Sequence, residues 1–378
     1  MSEPPPSVEH EGLTAPAADH GAAPPDGFPT GTEPGLAHLA SDSLTGLIDA
    51  VETAGQRPER RHRWALPLRL GASALMLGIL YTRFPDFEWS EVAPEWSIST
   101  IFWLLGAALM MAAGIVLSAV RWQQVLRAMD MHSTLRFLVP LYFAGQFVSN
   151  VLPTTIGGDV LRVSRLSKSN GDSAASFASV VLERLTGWLV LPLITFFGLV
   201  INPPLRNLGQ ATVLALAVGV ATLLALIGVL LVADNARLGG RFAEKDGWRR
   251  FVGAVHLGVS KLRTHPWETF GVILAGLVYQ LALCVSALMV AAGLGFGWLG
   301  ITALLAFYPA VLIIQVLPIG IAGLGVREGA FVLFLTPLGV PAEQAVALGL
   351  VLYGLNLVVS LGGAPAFAVG GRTRPASE

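Results

Sequence analysis

Eight apolar segments between residues 65 and 370 constrain the fold of this chain more than any other feature of its sequence. Six of them are long enough to cross the hydrocarbon core of a bilayer as helices: 65–82, 100–120, 174–201, 210–233, 268–292 and 342–370. Only 13% of the residues are charged, against about 25% in ordinary soluble domains. Because helices satisfy their own backbone hydrogen bonds in lipid, the sequence predicts an all-α polytopic membrane protein.

The other two apolar segments, 136–152 and 298–317, run directly into Pro and Gly residues. Basic residues flank the first of them on both sides, with Arg121 and Arg127 before it and Arg162 after it. By the positive-inside rule both flanks lie in the cytoplasm. The segment therefore has to enter the membrane, turn and return. We predict six crossing helices and two re-entrant hairpins, the second entering from outside.

The first 63 residues are expected to form a disordered, acidic cytoplasmic tail. Residues 1–56 are rich in Pro, Gly and Ala and carry nine acidic residues but no Lys or Arg, a composition that buries too little apolar surface to fold. A basic cluster at 57–63 precedes the first span, which places the N-terminus in the cytoplasm. The membrane domain is predicted at 64–371, in halves of about 65–205 and 206–371. Residues 372–378 form a second cytoplasmic tail.

The two hairpin tips are similar at an offset of 165 residues. Segments 150–162 and 315–327 are identical at six of thirteen positions. The same offset carries span 100–120 onto 265–285 and span 174–201 onto 339–366. With the halves oppositely oriented, this is the inverted repeat by which transporters form a site near the membrane midplane. The alternative is chance similarity between two Pro-Gly breaks.

The tips supply the candidate site residues. A proline ends each descending helix and the glycines let the chain reverse, which leaves backbone groups that are tolerated at this depth only beside a cavity. An arginine after each tip would bind an anion such as phosphate, with a nearby acid as its counter-charge in the empty site. The substrate-binding candidates are Asn150, Gly157, Gly158, Asp159, Arg162, Glu183, Arg184, Gln315, Gly323, Gly325, Arg327 and Glu328.

Several of these residues also have purely structural interpretations. Arg162 could be an ordinary cytoplasmic anchor, and Glu183 could form a buried salt bridge. We expect Glu183 to pair with Arg162 or Arg165, and Arg184 with a lipid phosphate. Arg121 and Trp122, at a predicted helix end, are typical of an interface anchor.

No cofactor, metal site or catalytic residue is predicted. The seven histidines lie outside the predicted spans without metal-ligand spacing, and the sequence lacks a Gly-rich nucleotide loop with its Lys. No loop is long enough to fold as a soluble catalytic domain. The protein is expected to be a transporter rather than an enzyme, and no nucleic-acid partner is expected.

Segments 145–162, 181–184 and 317–329 together resemble the membrane region of the bacterial lysylphosphatidylglycerol synthases/flippases and their stand-alone relatives. The shared features are a Pro-Gly-Gly-Asp-Arg tip, a Glu-Arg pair and a Gly-Arg-Glu tip, and the resemblance covers roughly residues 65–370. It implies a polytopic inner-membrane protein that binds or moves a lipid with a charged headgroup. Because the chain ends soon after its last span, the aminoacyltransferase domain of the two-part members is not expected here.

We therefore expect a lipid translocase of the bacterial inner (plasma) membrane. Its substrate would be a phospholipid or a polyprenyl-phosphate-linked lipid, and a homodimer is one option for its assembly. Two alternatives stay open. The first is a membrane-embedded transferase with Asp159 or Glu328 as general base, and the second is a non-transporting scaffold for other envelope proteins.

Overall fold

The computed structural model describes residues 96–151, 157–234, 248–316 and 323–369. Within these ranges the protein is helical and contains no strand. The helices of the first half are α1 (Ile98–Ala128), α2 (Leu135–Val151), α3 (Gly157–Asn170), α4 (Ser173–Ile201) and α5 (Gln210–Asp234). Those of the second half are α6 (Trp248–Thr264), α7 (Pro266–Gly293), α8 (Gly300–Ile314), α9 (Val326–Leu335), α10 (Ala342–Leu361) and α11 (Ala364–Val369). Short 3-10 turns lie at Pro203–Asn207, Gly297–Leu299 and Thr336–Leu338.

Six segments of the described chain are long and apolar enough to cross a membrane. They are Ile98–Ala128, Ser173–Ile201, Gln210–Val232, Pro266–Gly293, Gly297–Ile314 and Ala342–Leu361. Five correspond to predicted spans, and this protein is an all-α, multi-pass membrane protein. The predicted span 65–82, the N-terminal tail and the segment 370–378 lie outside the described residues.

The last predicted span, 342–370, is shorter than expected. Helix α10 ends at Leu361, and the chain bends at Gly362 and Gly363 before the short helix α11. A Cβ atom on Gly363 would lie 2.1 Å from the carbonyl oxygen of Phe143. The chain therefore breaks where it passes against the backbone of α2, a tertiary contact that an apolar run does not reveal.

Both predicted hairpins consist of helix pairs, although their tips at 152–156 and 317–322 lie outside the described residues. In the first pair α2 packs on α3, and in the second α8 packs on α9. Helix α8 has 15 residues, and together with the 3-10 turn before it, as Gly297–Ile314, it is the sixth segment long and apolar enough to cross a membrane, where a hairpin arm was predicted. The re-entrant arrangement stays a prediction.

The helix bounds follow the predicted offset of 165 residues. Shifting α1 by 165 gives 263–293, against Pro266–Gly293 for α7. Shifting α2 gives 300–316, against Gly300–Ile314 for α8. Helices α1 and α7 also form the most extensive helix pair among the described elements. The lengths and order of the helices agree with a repeat, while its inverted orientation stays a prediction.

Between α5 and α7 lies the amphipathic helix α6, which packs on α4 and α5. Its apolar face buries Val255 beside Val181. At its C-terminal end Lys261 donates to the carboxylate of Asp130, the residue that ends the turn after α1. His265 Nε2 lies 3.6 Å from the same carboxylate. The hydrogen bond and charge of Lys261 hold the pKa of the Asp130 carboxyl below its usual range.

Candidate functional site

Glu183 is the centre of a buried ion-pair cluster formed by three helices. It lies on α4 and is 1% exposed. Arg121 of α1 donates to Glu183 Oε1 from both Nε, at 3.0 Å, and Nη2. Arg162 of α3 donates to Oε2 from Nη1 and Nη2, at 3.2 and 3.1 Å. Tyr142 Oη donates to Oε1 at 3.3 Å. The Glu183 carboxylate thus bonds to two guanidinium groups in the apolar interior. Burying a charge there is costly unless the charge is paired.

Aromatic rings cover the guanidinium groups of this cluster. The Arg162 guanidinium carbon lies 4.1 Å from the ring centre of Trp122 and 4.2 Å from that of Tyr142. The Arg121 guanidinium lies 5.3 Å from the Tyr279 ring centre. Such contacts contribute about 2 kcal/mol when the cation is desolvated. Trp122 is held in turn by a hydrogen bond from its indole nitrogen to Ser179 Oγ, at 3.1 Å.

Asp159, at the start of α3, extends the cluster toward a more exposed arginine. It accepts from Arg184 Nε at 2.7 Å and from Arg162 Nη1 at 3.4 Å. The side chain of Arg184 is 49% exposed, whereas that of Arg162 is 4% exposed. Arg162 therefore bridges two carboxylates. These five residues, Arg121, Asp159, Arg162, Glu183 and Arg184, are called the Glu183 cluster below.

A second buried pair lies at the start of α9. Glu328 is completely buried and accepts from Arg327 Nη2 at 2.6 Å and Nε at 3.1 Å. Its other oxygen accepts from the backbone N–H of Gly325 at 2.7 Å, so the Glu328 side chain caps the first turn of α9. Gly325 has φ of 82°, a backbone conformation that favours glycine. Arg327 also lies over the ring of Tyr353, at 5.0 Å.

A cavity of about 320 Å³ connects the two groups of charges. Its polar lining includes Arg121, Glu183, Arg184, Gln280, Gln315 and Arg327. Two buried side-chain atoms of lining residues, Arg121 Nη1 and Gln280 Oε1, have no hydrogen-bond partner among the described residues. Arginines from both predicted halves therefore line a single cavity.

The remaining polar candidates tie α2 to α10. Gln146 Nε2 donates to Asn356 Oδ1 at 3.3 Å, and Asn150 Nδ2 donates to the Asn356 carbonyl at 3.4 Å. Gln146 and Asn356 line the cavity together with Gln315. Asn150 thus bonds to backbone, and Asn356 is a lining residue that the sequence analysis did not identify.

The two candidate glycines at the start of α3 lie at a close helix contact. A Cβ atom on Gly158 would lie 2.1 Å from the carbonyl oxygen of Gly145 and 2.3 Å from Ser149 Oγ, both on α2. Gly157 begins α3 next to it. In the second hairpin, Gly323 has φ of 76° and its Cβ would lie 3.1 Å from the Gln315 carbonyl oxygen. Close packing thus explains Gly158 and Gly323 without a ligand.

The Gly158→Ala substitution is expected to lower the free energy of unfolding by about 1–3 kcal/mol, because the added methyl group overlaps backbone that can move only if α2 and α3 separate. Thermal unfolding in detergent measures this loss. Gly228→Ala is the matched control, since its Cβ meets nothing within 4 Å on an exposed helix surface, and helix propensity predicts a gain of up to about 1 kcal/mol. Equal melting temperatures for the two variants would contradict the close contact.

Glu183 meets Arg162, one of the two arginines expected for it, and it also meets Arg121, which was not expected. Arg165 instead donates to the carbonyls of Ala366 and Phe367, at 2.9 and 2.8 Å. Arg184 pairs with Asp159, where a lipid phosphate was expected.

Arg121 and Trp122 were predicted as an interface anchor, and this is wrong. They are 5% and 0% exposed. The prediction failed because α1 continues to Ala128, two turns beyond the predicted end of the span at 120. Gln280 was also missed, although a polar side chain within the apolar run 268–292 is a signal that the sequence contains.

The family comparison covers most of the chain. A family model described as the lysylphosphatidylglycerol synthase TM region matches residues 67–363. The chain is also similar to the UPF0104 membrane protein PH1989 of Pyrococcus horikoshii, with 28% identity over 134 residues. That alignment spans 35% of this chain and 39% of the relative. No solved structure matches the chain significantly.

The matched region contains helices α1 to α10 and ends at Gly363, just before α11, and it includes both charged groups of the cavity. The resemblance found in the motifs is thereby confirmed. This chain belongs to the family of the lysylphosphatidylglycerol synthase TM region.

Proposed function

We propose that this protein is a lipid translocase that binds the phosphate-bearing headgroup of a membrane lipid in its central cavity and moves it across the bacterial inner membrane. The observation that carries the proposal is the cavity itself, which opens among apolar helices and yet is lined by Arg121, Arg184 and Arg327. Charged residues at this depth are costly and mark ligand pathways in membrane proteins. The acyl chains would stay in the bilayer.

Arginine suits this role because its planar guanidinium group binds phosphate with two parallel hydrogen bonds. Arg121 Nη1 has no partner among the described residues, although the other nitrogens of this side chain hold Glu183. The cavity volume of 320 Å³ lies at the lower end of the range of small-molecule sites, about 300–1,000 Å³.

The correspondence between the halves supports alternating access. Arg162 and Arg327 occupy equivalent positions at the offset of 165, and each is paired with a buried glutamate. The two glutamates differ in where they lie relative to their arginines. Glu183 belongs to α4, whereas Glu328 belongs to the same helix as Arg327 and packs against Gly349. In the mechanism we propose, Arg327 holds the phosphate near the outer face, and Arg184, the exposed arginine of the Glu183 cluster, holds it near the inner face. The carboxylates neutralise the arginines when no phosphate is bound.

A liposome assay tests this proposal. The full chain is reconstituted with tail-labelled fluorescent phosphatidylglycerol, aminoacylated phosphatidylglycerol or a polyprenyl-phosphate sugar, and the label is reduced by impermeant dithionite. We expect one lipid class to become fully accessible to dithionite, whereas protein-free vesicles leave the inner-leaflet label protected. Folded protein that moves none of these lipids would overturn the proposal in favour of the transferase or scaffold alternatives.

A further inference from the structure

The short helix α11 contacts both arms of the first hairpin. On the α2 side, the ring centre of Phe367 lies 6.0 Å from that of Phe147. On the α3 side, Arg165 donates to the carbonyls of Ala366 and Phe367, at 2.9 and 2.8 Å. These carbonyls lie in the last turn of α11 and have no partner within the helix itself. Helix α11 therefore connects α2 to α3 at the end of α10.

The position of α11 is a difference between the two halves of the chain. At the offset of 165 residues Gly363 corresponds to Gly198, and a Cβ atom on Gly198 would lie 2.5 Å from the backbone nitrogen of Ala306 on α8. A glycine thus packs on the first arm of the hairpin in each half. Helix α4 continues through Gly198 to Ile201, whereas α10 ends at Leu361 and a turn leads into α11. Helix α11 is therefore an addition to a contact that both halves share.

Helix α11 depends on these contacts for its structure. It has six residues, and isolated helices shorter than about 12 residues are marginal in water. Two consecutive glycines, Gly362 and Gly363, connect it to α10, and glycine restricts the backbone less than any other residue. Phe367 is only partly buried where it meets the hairpin. Helix α11 can therefore leave the hairpin while α10 stays in place.

Helix α3 connects α11 to the Glu183 cluster. Arg165 follows Arg162 by three residues, and Arg162 bonds to Glu183. Asp159, at the start of the same helix, pairs with Arg184, which holds the phosphate near the inner face in the proposed mechanism. A phosphate on Arg184 competes with Asp159 for the same guanidinium group and so weakens the connection between α3 and α4. A shift of α3 away from α4 would strain the bonds of Arg165 to α11.

We propose that α11 is a strap that holds the first hairpin in the position it has in the empty site, and that the strap leaves the hairpin in each transport cycle. The proposal rests on the proposed function and adds a conformational step to it. Because the strap bonds to both arms and to the end of α10, the hairpin shifts relative to α10 only after these bonds break.

A cross-link between the strap and α2 tests this step in the full chain. In the double variant Phe147→Cys/Phe367→Cys, a short bis-maleimide joins the two helices through thioether bonds, which resist dithionite. Mass spectrometry measures the cross-linked fraction, and the liposome assay measures lipid movement. The untreated double variant should move lipid, and the cross-linked protein should move it at least about tenfold more slowly, the effect of blocking a step worth one well-formed hydrogen bond or more.

Two controls separate the cross-link from the chemistry that forms it. Each single variant, treated with the same reagent, carries a modified thiol but no link, and should move lipid at its untreated rate. Asp130→Cys/Lys261→Cys is the matched cross-link, because these residues connect α6 to the turn after α1, away from the hairpin. Its rate should not change on cross-linking. The native Cys284 is buried and lies outside both pairs.

A second measurement does not depend on transport. Ala366 is a partly buried residue of the strap, and the thiol of Ala366→Cys should react with a maleimide dye about tenfold faster when Arg165→Gln is also present, since both charged hydrogen bonds to α11 are then lost. Equal labelling rates with and without Arg165→Gln would overturn the strap.

The outcomes of the cross-linking experiment distinguish the two proposals. Cross-linked protein that moves lipid as fast as the untreated variant would overturn the strap while the translocase proposal stands. Folded protein whose cysteine pair does not cross-link would also overturn it, because docked α11 holds positions 147 and 367 in contact. Untreated wild-type protein that moves none of the lipids would overturn the translocase proposal itself.

Discussion

Glu183→Gln is expected to lower the free energy of unfolding by about 3–5 kcal/mol, the cost of leaving a buried charge without its partner. The substitution keeps the size and polarity of the side chain but removes the negative charge that Arg121 and Arg162 share. Both arginines are at least 95% buried, so water cannot replace the lost carboxylate. Thermal unfolding in detergent, followed by the loss of the monodisperse peak in size-exclusion chromatography, measures the effect.

Glu343→Gln provides the same chemical change at a partly exposed position in the first turn of α10, and it should change stability by no more than about 0.5 kcal/mol. The double variant Arg121→Gln/Glu183→Gln should lose less free energy of unfolding than the two single variants lose together, because the effects of substitutions at contacting residues are not additive. Strictly additive losses would contradict a direct ion pair. A Glu183→Gln protein as stable as the wild type would contradict the buried cluster altogether.

Arg327→Gln is expected to lower the initial rate of lipid movement about 10- to 100-fold, since hydrogen bonds from a charged donor contribute about 1.5–3 kcal/mol. The residue lines the cavity from the second half of the chain. The rate of dithionite accessibility in liposomes measures the effect. Arg206→Gln is the matched control, because Arg206 bonds to the carbonyls of Leu199 and Val200 and is not a lining residue.

A double variant separates binding from folding. Arg327→Gln alone leaves Glu328 buried without its guanidinium partner. Arg327→Gln/Glu328→Gln removes both charges, and the introduced amide oxygen can still accept from the backbone N–H of Gly325. The double variant should regain much of the stability lost in the single variant but keep the slow transport. Transport restored to the wild-type rate would mean that Arg327 serves only to neutralise Glu328.

Helix positions were largely predictable because they depend on local composition. The predicted segments 136–152 and 298–317 differ by no more than three residues at either end from α2 and α8. Helix α10 is the exception. It ends at Leu361 because Gly363 packs directly on the backbone of α2, and a contact with a distant helix leaves no trace in the hydropathy of the run.

The site was predictable only in part. Arg162, Glu183 and Arg327 stand out in the sequence because charges are rare in apolar segments. Arg121 does not, because the sequence places it just beyond the end of an apolar run, where arginine is an ordinary anchor. Its burial results from the packing of α1 against α7, where Gly276 leaves room for its side chain.

The sequence by itself determined the class of protein, the order of its helices and the presence of arginine and acidic residues near both hairpin breaks, because hydropathy, Pro, Gly and charge act over a few residues. Only the tertiary structure decided which guanidinium group meets which carboxylate. Arg121 and Glu183 are 62 positions apart, and Arg162 and Glu183 are 21 apart. Such pairings depend on how helices rotate and pack against one another, and this is set by shape complementarity across the whole bundle rather than by any local pattern.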